Sequence, residues 1–219
     1  NCDMGFVAGE FAAEAAALCD KIGANMKAIG KTGCSLELFS TIGRHHVAAS
    51  CRALFGHRFE DAADDLPKLS DLAKLQRALD FITSELPRRA YGGGGAAEDG
   101  ADPFDFAKPT AANRQWQVHA SEARGIVAGA VRRRLVEHSS SSSPSSSAAA
   151  AAAAASAASR RPKDVLQAMI ERHEQDLRAA DRSGGAAAES VEALVEAMSD
   201  VLLELLFAGY TTLVVTLAT

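Results

Sequence analysis

The sequence is poor in several things, and each shortage excludes a class of function. Lys and Arg together number 23 against 28 Asp and Glu, giving a net charge of −5 and a pI near 5.7. Phosphate backbones need concentrated positive charge, so nucleic acid is excluded as a default partner. Cysteine is sparse. Cys2, Cys19, Cys34 and Cys51 lie 15 to 17 residues apart in the first quarter and form no CxxC pair. That spacing suits neither a zinc site nor a dense disulfide scaffold and predicts reduced, mostly packing thiols. The N-terminus, Asn1-Cys-Asp-Met-Gly-Phe6, has neither an initiator Met nor a basic-then-apolar leader pattern, so an internal piece of a longer polypeptide is expected. Strand-like alternation is scarce, which excludes a sheet-based fold.

What is present is helical periodicity, interrupted by two stretches that cannot build a core. Residues Tyr91 to Asp102 are rich in Gly, Ala and acid and read as a flexible loop. Residues Ser139 to Ser159 are almost entirely Ser and Ala and read as a low-complexity insertion, with too little apolar surface to offset their ordering entropy. A first apolar stripe runs from Phe11 to Ile29 and ends at Gly30 and Gly33. A second runs from Phe39 to Ala53 with Gly56 as C-cap, and a third from Leu69 to Leu86, terminated by Pro87. The fourth spans Asn113 to His138. Pro162 suits the first turn of a fifth helix through Leu166, Met169, Ile170 and Leu177. Ser190 is placed to cap a sixth, with Glu192 in its first turn. The expected fold class is all-α.

The last helix is the most informative. From Val201 onward it is apolar all round except Glu204, which predicts a central position in a large bundle or burial in a membrane. The position of Glu204, the threonines and the lack of a preceding Lys or Arg anchor favour the bundle. Within this helix lies the notch Ala208-Gly209-Tyr210-Thr211-Thr212. Gly209 costs roughly 1 kcal/mol relative to Ala in a helix, and the two threonines can turn their hydroxyls back onto carbonyls one turn earlier. Small residues there would let a flat ligand, or another helix, approach the backbone.

Other candidate motifs are weaker. Gly30-Lys31-Thr32 suggests a phosphate loop, but Asn25 stands where the first glycine is required and no strand leads in. His45 and His46 are adjacent on a helix and point about 100° apart, which suits shared metal ligation poorly. Arg132-Arg133-Arg134 spreads around its helix and reads as a solvated end. Trp116 reads as a packing residue rather than a substrate contact.

Phe207-Ala208-Gly209-Tyr210-Thr211-Thr212 resembles the distal central helix of the cytochrome P450 family, the haem-thiolate monooxygenases. The family pattern is Ala/Gly-Gly-x-Asp/Glu-Thr-Thr/Ser. Ala208, Gly209 and Thr212 fill its first, second and fifth places. Lys163 through Glu171 looks like the family's Lys-Asp-x-Leu-x-x-Leu helix, and Arg52-Ala-Leu-Phe-Gly56 is similar to its helix ending in Leu-Phe-Gly. Glu85-Leu-Pro87 and the segment Asn113 to Glu137 look like the two helices that roof the substrate pocket. The match spans residues 1–219, and its specific part is the stretch from Lys163 onward. The order of segments suggests the branch of retinoic-acid, sterol and other isoprenoid hydroxylases.

The resemblance implies a partial P450 fold around that central helix. Ala208 and Gly209 would line the groove over the haem with Thr212, whose hydroxyl would hydrogen-bond iron-bound peroxide and guide protons. Thr211, in the place of the usual relay acid, is the second candidate catalytic residue, and Leu213 replaces a Thr or Ser. The haem-ligand loop Phe-x-x-Gly-x-x-x-Cys-x-Gly and the Trp-x-x-x-Arg helix are not in this sequence, and the brace Glu-x-x-Arg is not found after the central helix, the spacing occurring only at Glu85-Leu-Pro-Arg88 before it. A full-length form would hydroxylate a small apolar, isoprenoid-like substrate with O2 and electrons from an NADPH-dependent reductase or a ferredoxin, on the endoplasmic reticulum membrane or in a plastid. This stretch alone is expected to be inactive. The alternative is a non-catalytic helical bundle used for protein interaction.

Overall fold

The computed structural model describes residues 4–29, 38–56, 70–90, 105–108, 110–141, 164–183 and 190–218, and its described elements are six α-helices. The all-α expectation holds. The two stretches expected to be flexible, 91–102 and most of 139–159, lie outside the described residues, as do Gly30, Gly33 and Pro162.

Helix α1 (Met4–Ile29) lies along α2 (Leu38–Phe55), and the pair is joined by charge as well as packing. Arg52 donates to Glu10 and Glu14, and His45 Nδ1 lies 2.7 Å from Glu14 Oε2. Burial alone would raise the Glu14 pKa, but the hydrogen bonds from His45 and Arg52 outweigh it and hold the carboxyl below its ordinary value. The opposite side of α2 is core, with Val47, Cys51 and Phe55 nearly inaccessible. Gly56 ends the helix as expected. It adopts φ 62° and its N–H donates to the Arg52 carbonyl at 2.8 Å.

Helix α3 (Asp71–Ala90) corrects one boundary. Pro87 does not stop it. A proline in the last turn removes one ladder donor, and other contacts compensate. Glu85 is bonded by Arg88 at 2.7 Å and Arg89 at 2.9 Å, while the Arg89 guanidinium lies 4.8 Å from the Phe106 ring centroid and 5.5 Å from that of Trp116. Helix α4 (Ala111–Ser141) runs three residues into the tract read as low-complexity. Ser139 and Ser140 donate to the Val136 carbonyl at 3.0 and 2.8 Å, which satisfies an acceptor at the helix end.

Helix α5 (Val165–Ser183) is capped by Asp164, whose Oδ1 accepts the Gln167 N–H at 2.7 Å. Asp164 is only 2% exposed and takes an ion pair from Arg134, so the arginine triplet is not simply a solvated end. Burial raises the Asp164 pKa, opposed by the Gln167 N–H and by Arg134. Helix α6 (Val191–Ala218) begins at the expected cap, with the Ala193 N–H 3.2 Å from Ser190 Oγ. It buries Val195, Met198, Leu202 and Leu206 against α2 and α4. Two ion pairs, Arg124 to Asp200 at 2.6 Å and Arg132 to Glu192 at 2.7 Å, are eight residues apart on both helices and fix α4 and α6 antiparallel. Among the described residues, no helix is long and apolar enough to cross a membrane.

Candidate functional site

The notch residues divide between two faces of α6. Tyr210 points inward, is 2% exposed and donates its hydroxyl to Asp80 on α3. Beneath it lies Gly43 of α2, where an added Cβ would stand 2.7 Å from the Tyr210 oxygen. Ala208 and Thr212 are exposed on a strip that also holds Val201, Glu204, Leu205 and Thr216, so the helix is not covered all round. Gly209 lies at the edge of that strip. A Cβ there would meet His46 Nε2 at 3.5 Å, an ordinary contact. Close helix packing therefore explains Gly43 and leaves Gly209 unexplained among the described residues.

The threonines behave as their chemistry dictates. Thr211 Oγ1 donates to the Phe207 carbonyl, Thr212 Oγ1 to the Ala208 carbonyl and Thr216 Oγ1 to the Thr212 carbonyl, each at 2.8 Å. Extra donors on these carbonyls compete with the helix ladder and soften it locally. The hydroxyl oxygens keep lone pairs free. His46 borders the notch from α2, its Nε2 buried and without a hydrogen-bond partner among the described residues, and burial holds its pKa below 6.5. His45 turns away toward Glu14, so the pair shares no ligand position.

Next to the notch is a cavity of about 610 Å³ between α3, α4 and α6, a size suited to a drug-sized ligand. Helix α3 contributes only apolar residues, among them Leu75, Leu79 and Ile82. Phe106 and Trp116 close one end, their ring centroids 4.9 Å apart. Trp116 therefore packs, as expected, and also forms cavity wall, which its position in the sequence did not indicate. The polar lining residues are Ser121 and Arg124 of α4 and Glu204 of α6. Phe207 lines the cavity and Ala208, its chain neighbour, lies on the open strip, so one turn of α6 serves both.

Whether these residues suit a haem can be judged from the open strip and the thiols. Ala208, Gly209 and Thr212 offer a low surface against which a flat macrocycle can lie. Cys51 is fully buried among core side chains, so it is not accessible to a group lying on the open strip, and burial pushes its thiol up to about 12. Cys19 is free and exposed on α1, so it is not the packing residue expected; Cys2 and Cys34 lie outside the described residues. The described residues thus present a low surface that would suit one face of a flat group, and among them no cysteine is placed to ligate its metal from that strip.

No protein-family model matches this chain, and no match is found among curated proteins or solved structures.

Proposed function

We propose that this chain is part of a haem-dependent monooxygenase, with Ala208, Gly209 and Thr212 facing the haem and the adjoining cavity receiving an apolar substrate. The observation that carries this reading is the placement of the small residues. Ala208, next in the chain to the cavity-lining Phe207, and Thr212 face the uncovered side of α6, and Gly209 lies at the edge of that side, where a Cβ would make only an ordinary contact with His46 of α2. When bound, the haem supplies oxygen activation with electrons delivered by a reductase or a ferredoxin. The chain's own residues bind the substrate, exclude water and position a proton.

Thr212 is the residue for that last task. Its hydroxyl donates to the Ala208 carbonyl, and turning it outward sacrifices one hydrogen bond worth about 0.5–1.5 kcal/mol. Thr211 is tied to the Phe207 carbonyl and takes the place of an acid, so the carboxylate usual at that point in the resembling pattern is absent. Leu75, Leu79 and Phe207 make the cavity water-poor, which protects the chemistry from side reactions.

Expression of a full-length polypeptide that contains this sequence tests the reading. It should bind haem and give the carbon-monoxide difference spectrum of a thiolate-ligated iron, and Thr212→Ala should divert reducing equivalents to peroxide at unchanged haem content. Absence of a thiolate spectrum, or equal coupling in mutant and parent, would overturn it. The second reading, an interaction bundle, draws on Val201 and Leu205, each 45% exposed on the same strip. Stoichiometric pull-down of a protein partner by that strip, with no haem uptake, would favour it.

A further inference from the structure

The cavity is polarised along its length. The register set by the Arg124–Asp200 and Arg132–Glu192 pairs, continued by the same eight-residue step, places Trp116 opposite Ala208. The aromatic end, Phe106 and Trp116, therefore lies level with the notch. Arg124 lies about two turns away, roughly 12 Å along α4 from Trp116, and Glu204, opposite Ala120 in the same register, about one turn away, roughly 6 Å.

Charge at that far end is unbalanced. Arg124 is already engaged by Asp200 at 2.6 Å. Glu204 has no hydrogen bond or ion pair among the described residues. Two carboxylates against one guanidinium leave a net negative rim with an acceptor free. A carboxylate head would be repelled there, and a head that donates hydrogen bonds would be held.

We propose that the cavity takes an elongated apolar molecule with a hydrogen-bond-donating polar end, an alcohol or an amine. The head lies at Glu204 and the tail lies beside Trp116 and the notch. This rests on the reading of the cavity as the substrate chamber, and it adds which molecules enter and which end is presented.

The chain's single tryptophan lies in the cavity wall, so binding can be read from its fluorescence. Decylamine, decanol and decanoate are titrated into the 219-residue chain near neutral pH and at low salt. The amine and the alcohol should bind about threefold to fivefold more tightly than the acid, the scale of one exposed charge contact. Glu204→Gln should abolish that preference. Arg124→Gln, which frees Asp200, should widen it. Both side chains are exposed, so neither change threatens folding. Decanol carrying bromine on its terminal carbon should quench Trp116.

Decanoate binding tightest, an unchanged order in Glu204→Gln, or no quenching by the brominated tail would each overturn the proposal. Equal binding of all three heads would overturn it and leave the chamber standing. If none binds saturably, or if Ala120→Leu in the cavity wall leaves binding unaltered, the chamber reading falls as well.

Discussion

Within one turn of α6, Tyr210 and Thr212 meet opposite fates. Tyr210 is held by Asp80 from α3 over a glycine of α2, whereas Thr212 faces outward and bonds only to its own helix. Two glycines mark the same contrast. Gly43 is small because Tyr210 occupies the space above it. Gly209 has room for a methyl group and is still glycine. A residue whose smallness is required by packing belongs to the fold, and one whose smallness is not required must answer to something else.

That contrast can be tested by substitution, beginning with the covered face. Leu202 is fully buried on α6, and Leu202→Ala should cost about 2–5 kcal/mol, measured by urea denaturation. A cost near zero would mean that the covered face is not core. Gly43→Ala drives a methyl against the Tyr210 oxygen and should cost about 1–3 kcal/mol. The penalty should shrink when Tyr210→Phe removes that oxygen, and a double-mutant cycle detects the coupling.

The open face should respond with the opposite sign. Gly209→Ala should raise stability by about 1 kcal/mol through helix propensity, seen as a higher denaturation midpoint. On the proposed monooxygenase reading the same change should impair turnover of the full-length form, since stability withheld at a site signals use of that site. Destabilisation by Gly209→Ala would place it with Gly43 and erase the distinction.

His46, between the two faces, gives the smallest effect. Burial holds its folded pKa below the ordinary 6.5, so the unfolded chain takes up a proton that the folded chain refuses. Its contribution is full above that ordinary value and is lost as pH falls through it toward the folded pKa. The stability of the parent relative to His46→Phe should therefore decline on acidification from about pH 7 to about pH 5, measured by denaturation at both pH values. A constant difference would mean that His46 does not titrate as a buried group.

Much of the fold was legible because helices announce themselves by period and by caps. The stripes Phe11 to Ile29 and Phe39 to Ala53, the cap at Gly56 and the cap at Ser190 all stand where their residue types place them. Pro87 misled because the sequence does not reveal that Glu85, Arg88 and Arg89 brace the turn it weakens. Asp164 was read as part of a motif, while its cap on α5 and its pair with Arg134 depend on helices distant in the chain. The cavity was least legible. Leu75, Leu79 and Leu86 line it, yet in sequence they continue the same stripe as Leu72, which packs against the core, and nothing local distinguishes a leucine beside a void from one against a neighbour. Glu204 looked like a flaw in an apolar helix, and a signal existed in that conflict.

The junction of Gly56, Arg134 and Asp164 has a practical consequence. The end of α2, the last turns of α4 and the start of α5 converge on one carboxylate, so the two ends of the intervening stretch, residues 142–163, are fixed by contacts that do not involve it. Loss of that one carboxylate would therefore loosen three helix ends at once, the C-terminus of α2, the last turns of α4 and the cap of α5.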